Sequence, residues 1–122
     1  MAVAENIELS DICIKSGHLE VRLAQNNLEI DAAQSLRYKV FFEEMDAVPS
    51  KNQKKLKRDI DIYDHYFDHI LVVDKSIVGK FQNKVVGTYR LNRGIKKNLF
   101  YTSGEFNIKK LIDYNGNILE LG

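Results

Sequence analysis

The most constraining feature of the chain is a group of acids placed directly before a short apolar run. Four aspartates stand within ten residues: Asp59, Asp61, Asp64 and Asp68. The run that follows, residues 70–73, has no polar alternation and predicts a buried strand covered on both faces. Four like charges at the start of such a strand repel one another unless cations lie nearby. Arg37 and Arg90 each lie in an apolar stretch, so the pattern predicts a polar site between a helix and a sheet.

Length and charge restrict the class of protein. The chain has 122 residues and a net charge of +1, which fits one globular domain and gives no general attraction to nucleic acid. The single cysteine, Cys13, excludes an intrachain disulfide and a cysteine-based zinc site. The first residues lack the basic and apolar parts of a secretion signal, and no stretch is long enough to span a membrane. We therefore expect a cytoplasmic protein.

Hydrophobic periodicity predicts an α/β fold. Leu19–Leu23 alternates apolar and polar residues, as expected for a strand with one buried face, and residues 1–18 are interpreted as a weakly held leader. Residues 28–45 repeat apolar side chains at helical spacing and predict the first long helix. Further along, residues 70–73 predict a strand, residues 75–84 a hairpin connection and residues 85–91 another strand. A capping box at Thr102 then predicts a short helix over residues 106–112, and residues 118–121 predict a last strand.

Two charged residues fall within predicted strands and so need partners. Alternation places Arg90 with Val86 and Thr88 on one face of its strand. Glu120 is the only ionisable residue of the last apolar run, so desolvation is expected to raise its pKa toward the range that suits a general base. The alternative is a structural carboxylate that pairs with Arg37 or Arg90.

A basic run follows the helix break at Pro49. It contains five cations within eight residues: Lys51, Lys54, Lys55, Lys57 and Arg58. Most such runs are solvated surface. The functional alternative is docking to an acidic partner or to an anionic membrane surface.

The histidines among the aspartates raise the question of a metal site. His65 and His69 are four residues apart, with carboxylates around them. A calcium loop needs a glycine and a glutamate where this chain has Asp64 and Ile70, and no His-Glu-x-x-His pattern is present. We expect no metal, and we interpret His69 as a hydrogen-bonded histidine at the start of a strand.

Five ordered blocks carry a resemblance to a known family. They are residues 36–45 (LRYKVFFEEM), Asp61-x-x-Asp64 with His69-Ile70-Leu71-Val72, residues 86–91 (VGTYRL), Phe100-Tyr101 with Glu105-Phe106, and residues 119–122 (LELG). In this order they resemble the ornithine N-acyltransferase family, sometimes labelled hemolysin-like. That family belongs to the GNAT superfamily and is related to the acyl-homoserine-lactone autoinducer synthases.

The resemblance implies a particular fold and extent. It implies a strand, a long helix or helices, then a mainly antiparallel sheet of three further strands with a short helix before the last. The family pattern continues after Leu-Gly with a loop and helix that hold the acyl donor. Residues 19–122 are therefore expected to form the N-terminal part of a GNAT-like acyltransferase domain. An exposed last strand would then favour self-association, with poor activity of this part alone.

The resemblance also implies site residues and a reaction. Glu120 is expected to be the catalytic residue. Six further residues are expected to bind substrate: Arg37, Phe41, Asp61, Asp64, Arg90 and Phe106. The implied reaction transfers a fatty acyl group from the thioester of acyl carrier protein to the amine of ornithine or a similar amino acid, in aminolipid biosynthesis. No metal or further cofactor is implied. Contact with the inner membrane face is a further expectation.

Two alternatives stand beside this interpretation. The first is an autoinducer synthase that uses S-adenosylmethionine as acceptor. Such enzymes carry a tryptophan shortly after the residue matched by Phe41, whereas this chain has no tryptophan, which favours the ornithine-type branch. The second is a non-catalytic module that binds acyl carrier protein.

Overall fold

One antiparallel sheet organises the part of the chain that the computed structural model describes, residues 12–94 and 99–122. Its strands follow one another in sequence order: β1 (Cys13–Ser16), β2 (Leu19–Leu23), β3 (Asp68–Asp74), β4 (Val85–Asn92) and β5 (Glu120–Leu121). The helices are α1 (Asn27–Tyr38), α2 (Lys51–Leu56), α3 (Phe81–Lys84) and α4 (Lys109–Ile112). The α/β class and the antiparallel order are as predicted. No helix in these ranges is long and apolar enough to cross a membrane.

The first strand is absent from the sequence prediction. Cys13–Ser16 pairs with β2, with Cys13 opposite Arg22, although residues 13–16 fall within the predicted leader. All four residues of this strand are exposed, so no buried alternation marks it in the sequence. Residues 1–11 lie outside the described part of the chain.

The predicted long helix forms, but its first part is an α-helix and its second part a π-helix. The Asn26 side chain caps α1 by accepting a hydrogen bond from the Glu29 N–H at 3.0 Å. After α1 the chain continues as a π-helix over Lys39–Glu44. Asp46 then adopts a left-handed conformation with φ of 59°, which turns the chain away from the helix axis.

The core lies between α1 and one face of the sheet. Ala32 and Ala33 of α1 pack against Leu71, Val73 and Val85, and all five are buried. Small alanines let the helix approach the sheet closely, while the branched residues fill the interface. The prediction that residues 70–73 are covered on both faces is wrong for the described residues, because the side chains that alternate with the buried ones are only half-buried.

A β-bulge changes which residues of β4 face the helix. The register shifts between Val72 and Val73 of β3, which leaves Val86 without an opposing residue. As a result Val85, opposite Val73, is packed in the core and 4% exposed, whereas Val86 is 47% exposed and lines a groove beside Leu36 and Val40. Simple alternation predicted Arg90 on a sheet face correctly but did not predict the bulge or the burial of Val85.

The last predicted helix and strand are both shorter than expected. Residues 101–104 form a single 3₁₀ turn, and α4 begins only after Ile108, which provides no side-chain cap. The predicted capping box at Thr102 does not form, because the Thr102 hydroxyl donates to Glu120 instead. The last strand is β5, residues 120–121, rather than 118–121.

Candidate active site

Arg37 in the last turn of α1 lies at the centre of the buried charges. Its Nη1 and Nη2 donate to Asp64 Oδ1 and Oδ2 at 2.7 and 3.0 Å, a bidentate pair in which both residues are buried. Its Nε donates to Asp59 Oδ2 at 3.0 Å, and Nη2 also donates to the Asp59 carbonyl oxygen. Every guanidinium nitrogen is therefore engaged, and the end of α1 is tied to the segment that precedes β3.

Arg90 approaches the same carboxylates from the sheet. Its Nη1 lies 2.7 and 2.8 Å from the two oxygens of Asp61 and 3.1 Å from Asp64 Oδ1. Its guanidinium carbon lies 5.4 Å from the centre of the Phe67 ring, within range of a cation–π contact. The polar site predicted between helix and sheet is therefore present, and it contains Arg37, Asp61, Asp64 and Arg90 as predicted.

Two glutamines and an aspartate complete this cluster. Neither glutamine was predicted, and Asp59 was counted among the four acids of the polar site but not among the substrate-binding residues. Gln34, one turn before Arg37, donates to Asp64 Oδ2 at 3.0 Å. Gln53 on α2 donates to Asp59 Oδ1 at 3.1 Å, so Asp59 joins α2 to Arg37. The helical spacing of Gln34 and Arg37 was a usable signal, because residues three apart share a helix face. No such signal links Gln53 to Asp59.

The cluster holds its charges through ion pairing that outweighs burial. Burial by itself raises the pKa of Asp64, but hydrogen bonds and charge from Arg37, with Arg90 further away, bring it below its usual value. For Arg37 burial lowers the pKa and Asp64 raises it, with a net increase. Three carboxylates, those of Asp59, Asp61 and Asp64, face two guanidinium groups, so the cluster carries one excess negative charge.

His69 supports the cluster as a neutral residue. Its Nε2 donates to the Asp64 carbonyl oxygen at 2.9 Å, and its ring is buried under α1. Burial lowers the pKa of His69, which favours the neutral ring. Its position agrees with the interpretation of a hydrogen-bonded histidine. Among residues 12–94 and 99–122, no group of three or more His, Cys, Asp or Glu side chains is arranged to hold a metal ion.

Glu120 lies in a separate hydrogen-bonded arrangement. Its Oε1 accepts from Asn92 Nδ2 and the Tyr101 N–H, and its Oε2 accepts from the Thr102 N–H and hydroxyl, at 2.6 to 3.2 Å. Four donors therefore surround one carboxylate. Burial acts to raise the pKa of Glu120, but these hydrogen bonds outweigh it and lower the pKa. The predicted increase is wrong, and so is the alternative of a pair with Arg37 or Arg90.

Of the two predicted aromatic residues, Phe41 shares a groove with Arg37 of the cluster, whereas Phe106 lies apart from it. Phe41, in the π-helix, is partly exposed beside an apolar groove of about 240 Å³ that is also lined by Val40 and Val86. Phe106 follows the 3₁₀ turn and is 65% exposed. Within the described residues, no hydrogen bond or ring contact joins Phe106 to the charged cluster.

Comparison with known proteins defines the class. Residues 36–122 match the family model described as the acetyltransferase (GNAT) domain, which covers most of the chain. The chain therefore belongs to the GNAT acetyltransferase domain family.

Three similar proteins identify the group of enzymes that this chain resembles. The chain is 50% identical over 99 residues to an L-ornithine N(alpha)-acyltransferase of Agrobacterium fabrum, an alignment covering 79% of this chain and 34% of that protein. It is 43% identical over 118 residues to a protein of the same name in Rhizobium meliloti, covering 93% and 40%. A third, from Brucella abortus, is 43% identical over 111 residues, covering 87% and 40%. The resemblance inferred from the five sequence blocks is confirmed.

The extent of these matches is partial. The chain spans 34 to 40% of the length of these three relatives. No solved structure gives a significant match.

Proposed function

We propose that this chain is part of an N-acyltransferase that moves a fatty acyl group onto the α-amine of L-ornithine or a similar amino acid. The observation that carries the proposal is the convergence of Arg37, Asp64 and Arg90 from three separate segments, at the positions of the family's charged motif. The printed name of the relatives, L-ornithine N(alpha)-acyltransferase, supports the same acceptor and the same nitrogen.

The proposed reaction requires one proton acceptor. The unprotonated amine attacks the thioester carbonyl and forms a C–N bond, and the resulting tetrahedral intermediate then breaks its C–S bond. The amine loses a proton, and the departing sulfur gains one. We assign the proton acceptor to Glu120, acting directly or through water, once the substrate replaces the Thr102 hydroxyl as its partner. The lowered pKa makes Glu120 a weak base but keeps it ionised at neutral pH.

The acyl donor is proposed to be acyl carrier protein. The lysines of α2 support an acidic partner, because Lys51, Lys54 and Lys55 are exposed, as is Lys57 directly after the helix. None of the four forms an ion pair within the described residues, whereas Arg58 pairs with Asp31. This cationic surface also suits the anionic face of a membrane, where an acylated amino acid would be used as a lipid.

Lipid analysis of cells that express the full-length gene tests the proposal. We expect mass spectrometry to find N-acylated ornithine in a bacterium that otherwise lacks it. Arg37→Ala should abolish the product, and Arg58→Ala, at an exposed ion pair, should retain it. Acyl-homoserine lactone in the medium would identify an autoinducer synthase instead. Neither product from a folded protein would overturn the proposal and favour a non-catalytic carrier-binding module.

A further inference from the structure

The Arg37–Asp64 pair at the centre of the charge cluster has no open bonding position with which to recognise an amino acid. All three nitrogens of the Arg37 guanidinium donate to Asp59 or Asp64. Asp64 in turn accepts from Gln34, from both arginines and from a backbone N–H. A ligand carboxylate or ammonium could bind there only by displacing a buried ion pair, which is costly. This central pair therefore does not bind the charges of an acceptor amino acid, and an acceptor needs partners outside it.

A polar pocket next to the cluster offers such partners. It has a volume of about 270 Å³, and its lining includes Phe67, Asp68, Asn92 and Arg93. Pockets for drug-sized ligands usually measure roughly 300–1,000 Å³, so this one suits a smaller molecule such as an amino acid.

The pocket contains a charge pair that still has open bonding positions. Arg93 Nε and Nη2 donate to the two oxygens of Asp68 at 2.6 and 3.3 Å. The Arg93 side chain is 47% exposed, and its Nη1 has no partner among the described residues. Each Asp68 oxygen accepts one hydrogen bond from this arginine, while a carboxylate oxygen can accept two. An exposed pair is also held weakly, so a ligand can insert beside it at little cost.

The location of the pocket connects the two parts of the candidate active site. One wall is Phe67, which contacts Arg90 of the charge cluster. The floor includes Asn92, a buried residue whose amide donates to Glu120 Oε1 at 3.2 Å. A small ligand in the pocket would therefore contact Phe67, which touches the charge cluster, and Asn92, which touches the proposed proton acceptor.

We propose that this pocket binds the acceptor amino acid, with Arg93 receiving its α-carboxylate and Asp68 its side-chain ammonium. Besides its α-amine, a diamino acid presents one carboxylate and one side-chain ammonium, which match Arg93 and Asp68, and the α-amine remains free to react. The inference rests on the proposed function for its ligand class. It adds Arg93 and Asp68 as specificity-determining residues, and Asn92 as a positioning residue for Glu120.

Equilibrium binding to the full-length protein tests the pocket independently of catalysis. Titration calorimetry would compare L-ornithine with 1,4-diaminobutane, which lacks the carboxylate, and with L-norvaline, which lacks the side-chain amine. We expect wild type to prefer L-ornithine over both. Arg93→Ala should weaken the binding of L-ornithine roughly tenfold or more and leave the binding of 1,4-diaminobutane nearly unchanged. Asp68→Asn should weaken the binding of L-ornithine but leave the binding of L-norvaline nearly unchanged.

Matched controls come from the other surface pair. Arg58→Ala and Asp31→Asn remove a similar exposed ion pair and should not change binding. The pocket assignment is overturned if wild type does not bind L-ornithine, or if Arg93→Ala leaves L-ornithine binding intact or weakens both ligands equally. If binding follows the prediction but the enzyme acylates no amine, the proposed function fails and the pocket stands.

Discussion

Arg37 and Asp64, separated by 27 positions in the chain, form a two-point buried ion pair with N–O distances of 2.7 and 3.0 Å. The pair fixes the end of α1 against the segment that enters β3. Because Arg90 joins the same carboxylate from β4, one aspartate connects a helix, a loop and a strand. This junction gives the region beside the sheet a defined shape before any substrate binds.

Removing Arg37 should destabilise the fold more than removing Arg90. Arg37→Ala leaves Asp64 and Asp59 without their main partner and should cost about 3–5 kcal/mol. Arg90→Ala should cost roughly 2–3 kcal/mol, because Asp64 retains Arg37 and Asp61 is partly exposed. Urea denaturation followed by circular dichroism measures both losses.

Arg58→Ala is the matched control for these variants. Its partner Asp31 has a side-chain exposure of 45%, so the loss should be under about 1 kcal/mol. A loss of less than about 0.5 kcal/mol for Arg90→Ala would show that Arg90 contributes little to the stability of this junction.

The free energy of unfolding should decrease in two steps as the pH is lowered. A group whose pKa is lower in the folded than in the unfolded chain stabilises the fold above the unfolded value, and loses that contribution as pH falls toward the folded value. Burial lowers the pKa of His69 below 6.5, so the free energy of unfolding should begin to fall below about pH 6.5. Asp64, whose pKa is lowered below 3.8, should add a second decline under about pH 3.8.

Denaturant titrations across this pH range separate the two groups. His69→Gln should flatten the upper decline, whereas His65→Gln, at an exposed position, should not. An unchanged upper decline in His69→Gln would assign that decline to other groups.

The partners of Glu120 provide a test of its role. Thr102→Val removes one donor to Oε2 and should raise the pKa of Glu120, since a lost hydrogen bond disfavours the charged form. If Glu120 accepts the amine proton, the acid limb of the kcat/KM profile in the full-length enzyme should move to higher pH. Glu120→Gln should lower kcat by roughly 100-fold or more.

Ser103→Ala is the control for Thr102→Val. Ser103 is adjacent, but its hydroxyl donates to the Phe100 carbonyl and not to Glu120. A pH profile that is identical in Thr102→Val, Ser103→Ala and wild type would remove Glu120 from the proton transfer and leave it as an anchor of residues 100–102.

The exposed lysines of α2 should affect donor recognition. Lys51→Glu combined with Lys55→Glu should raise KM for acyl carrier protein roughly tenfold or more at low salt, with a smaller effect at high salt. Lys109→Glu combined with Lys110→Glu, on α4, reverses as much charge elsewhere and is the control. Equal effects of the two double variants would show that α2 does not dock the donor.

The charged cluster could be predicted from the sequence because its arginines lie on regular elements and its aspartates come shortly before one. Asp61 and Asp64 precede an apolar strand, and Arg37 and Arg90 lie within apolar stretches where an unpaired charge is costly. Periodicity places the arginines on buried faces, and the need of buried charges for partners of opposite sign predicts that the two groups meet. The role of Gln53 did not follow, because it depends on the path of an irregular loop.

The surroundings of Glu120 could not be predicted for a related reason. An ionisable residue in an apolar run suggests desolvation, but two of its four donors are backbone N–H groups of residues 101 and 102. Those residues read as the start of a capped helix, and the tertiary contact with Glu120 prevailed over that local preference. The bulge at Val86 was also missed, although Gly87 beside it was a usable signal, because an isolated glycine within a strand often marks a bulge.

A reconstituted assay tests most directly our proposal that the full-length protein acylates the α-amine of an amino acid. Purified full-length enzyme would be incubated with the fatty acyl thioester of acyl carrier protein and with either L-ornithine or S-adenosylmethionine. Fragmentation mass spectrometry would identify the products. We expect an amide at the α-nitrogen of L-ornithine, together with the released thiol of the carrier protein, and no product from S-adenosylmethionine. Homoserine lactone formation, or no amide from any amino acid by a folded enzyme, would contradict it.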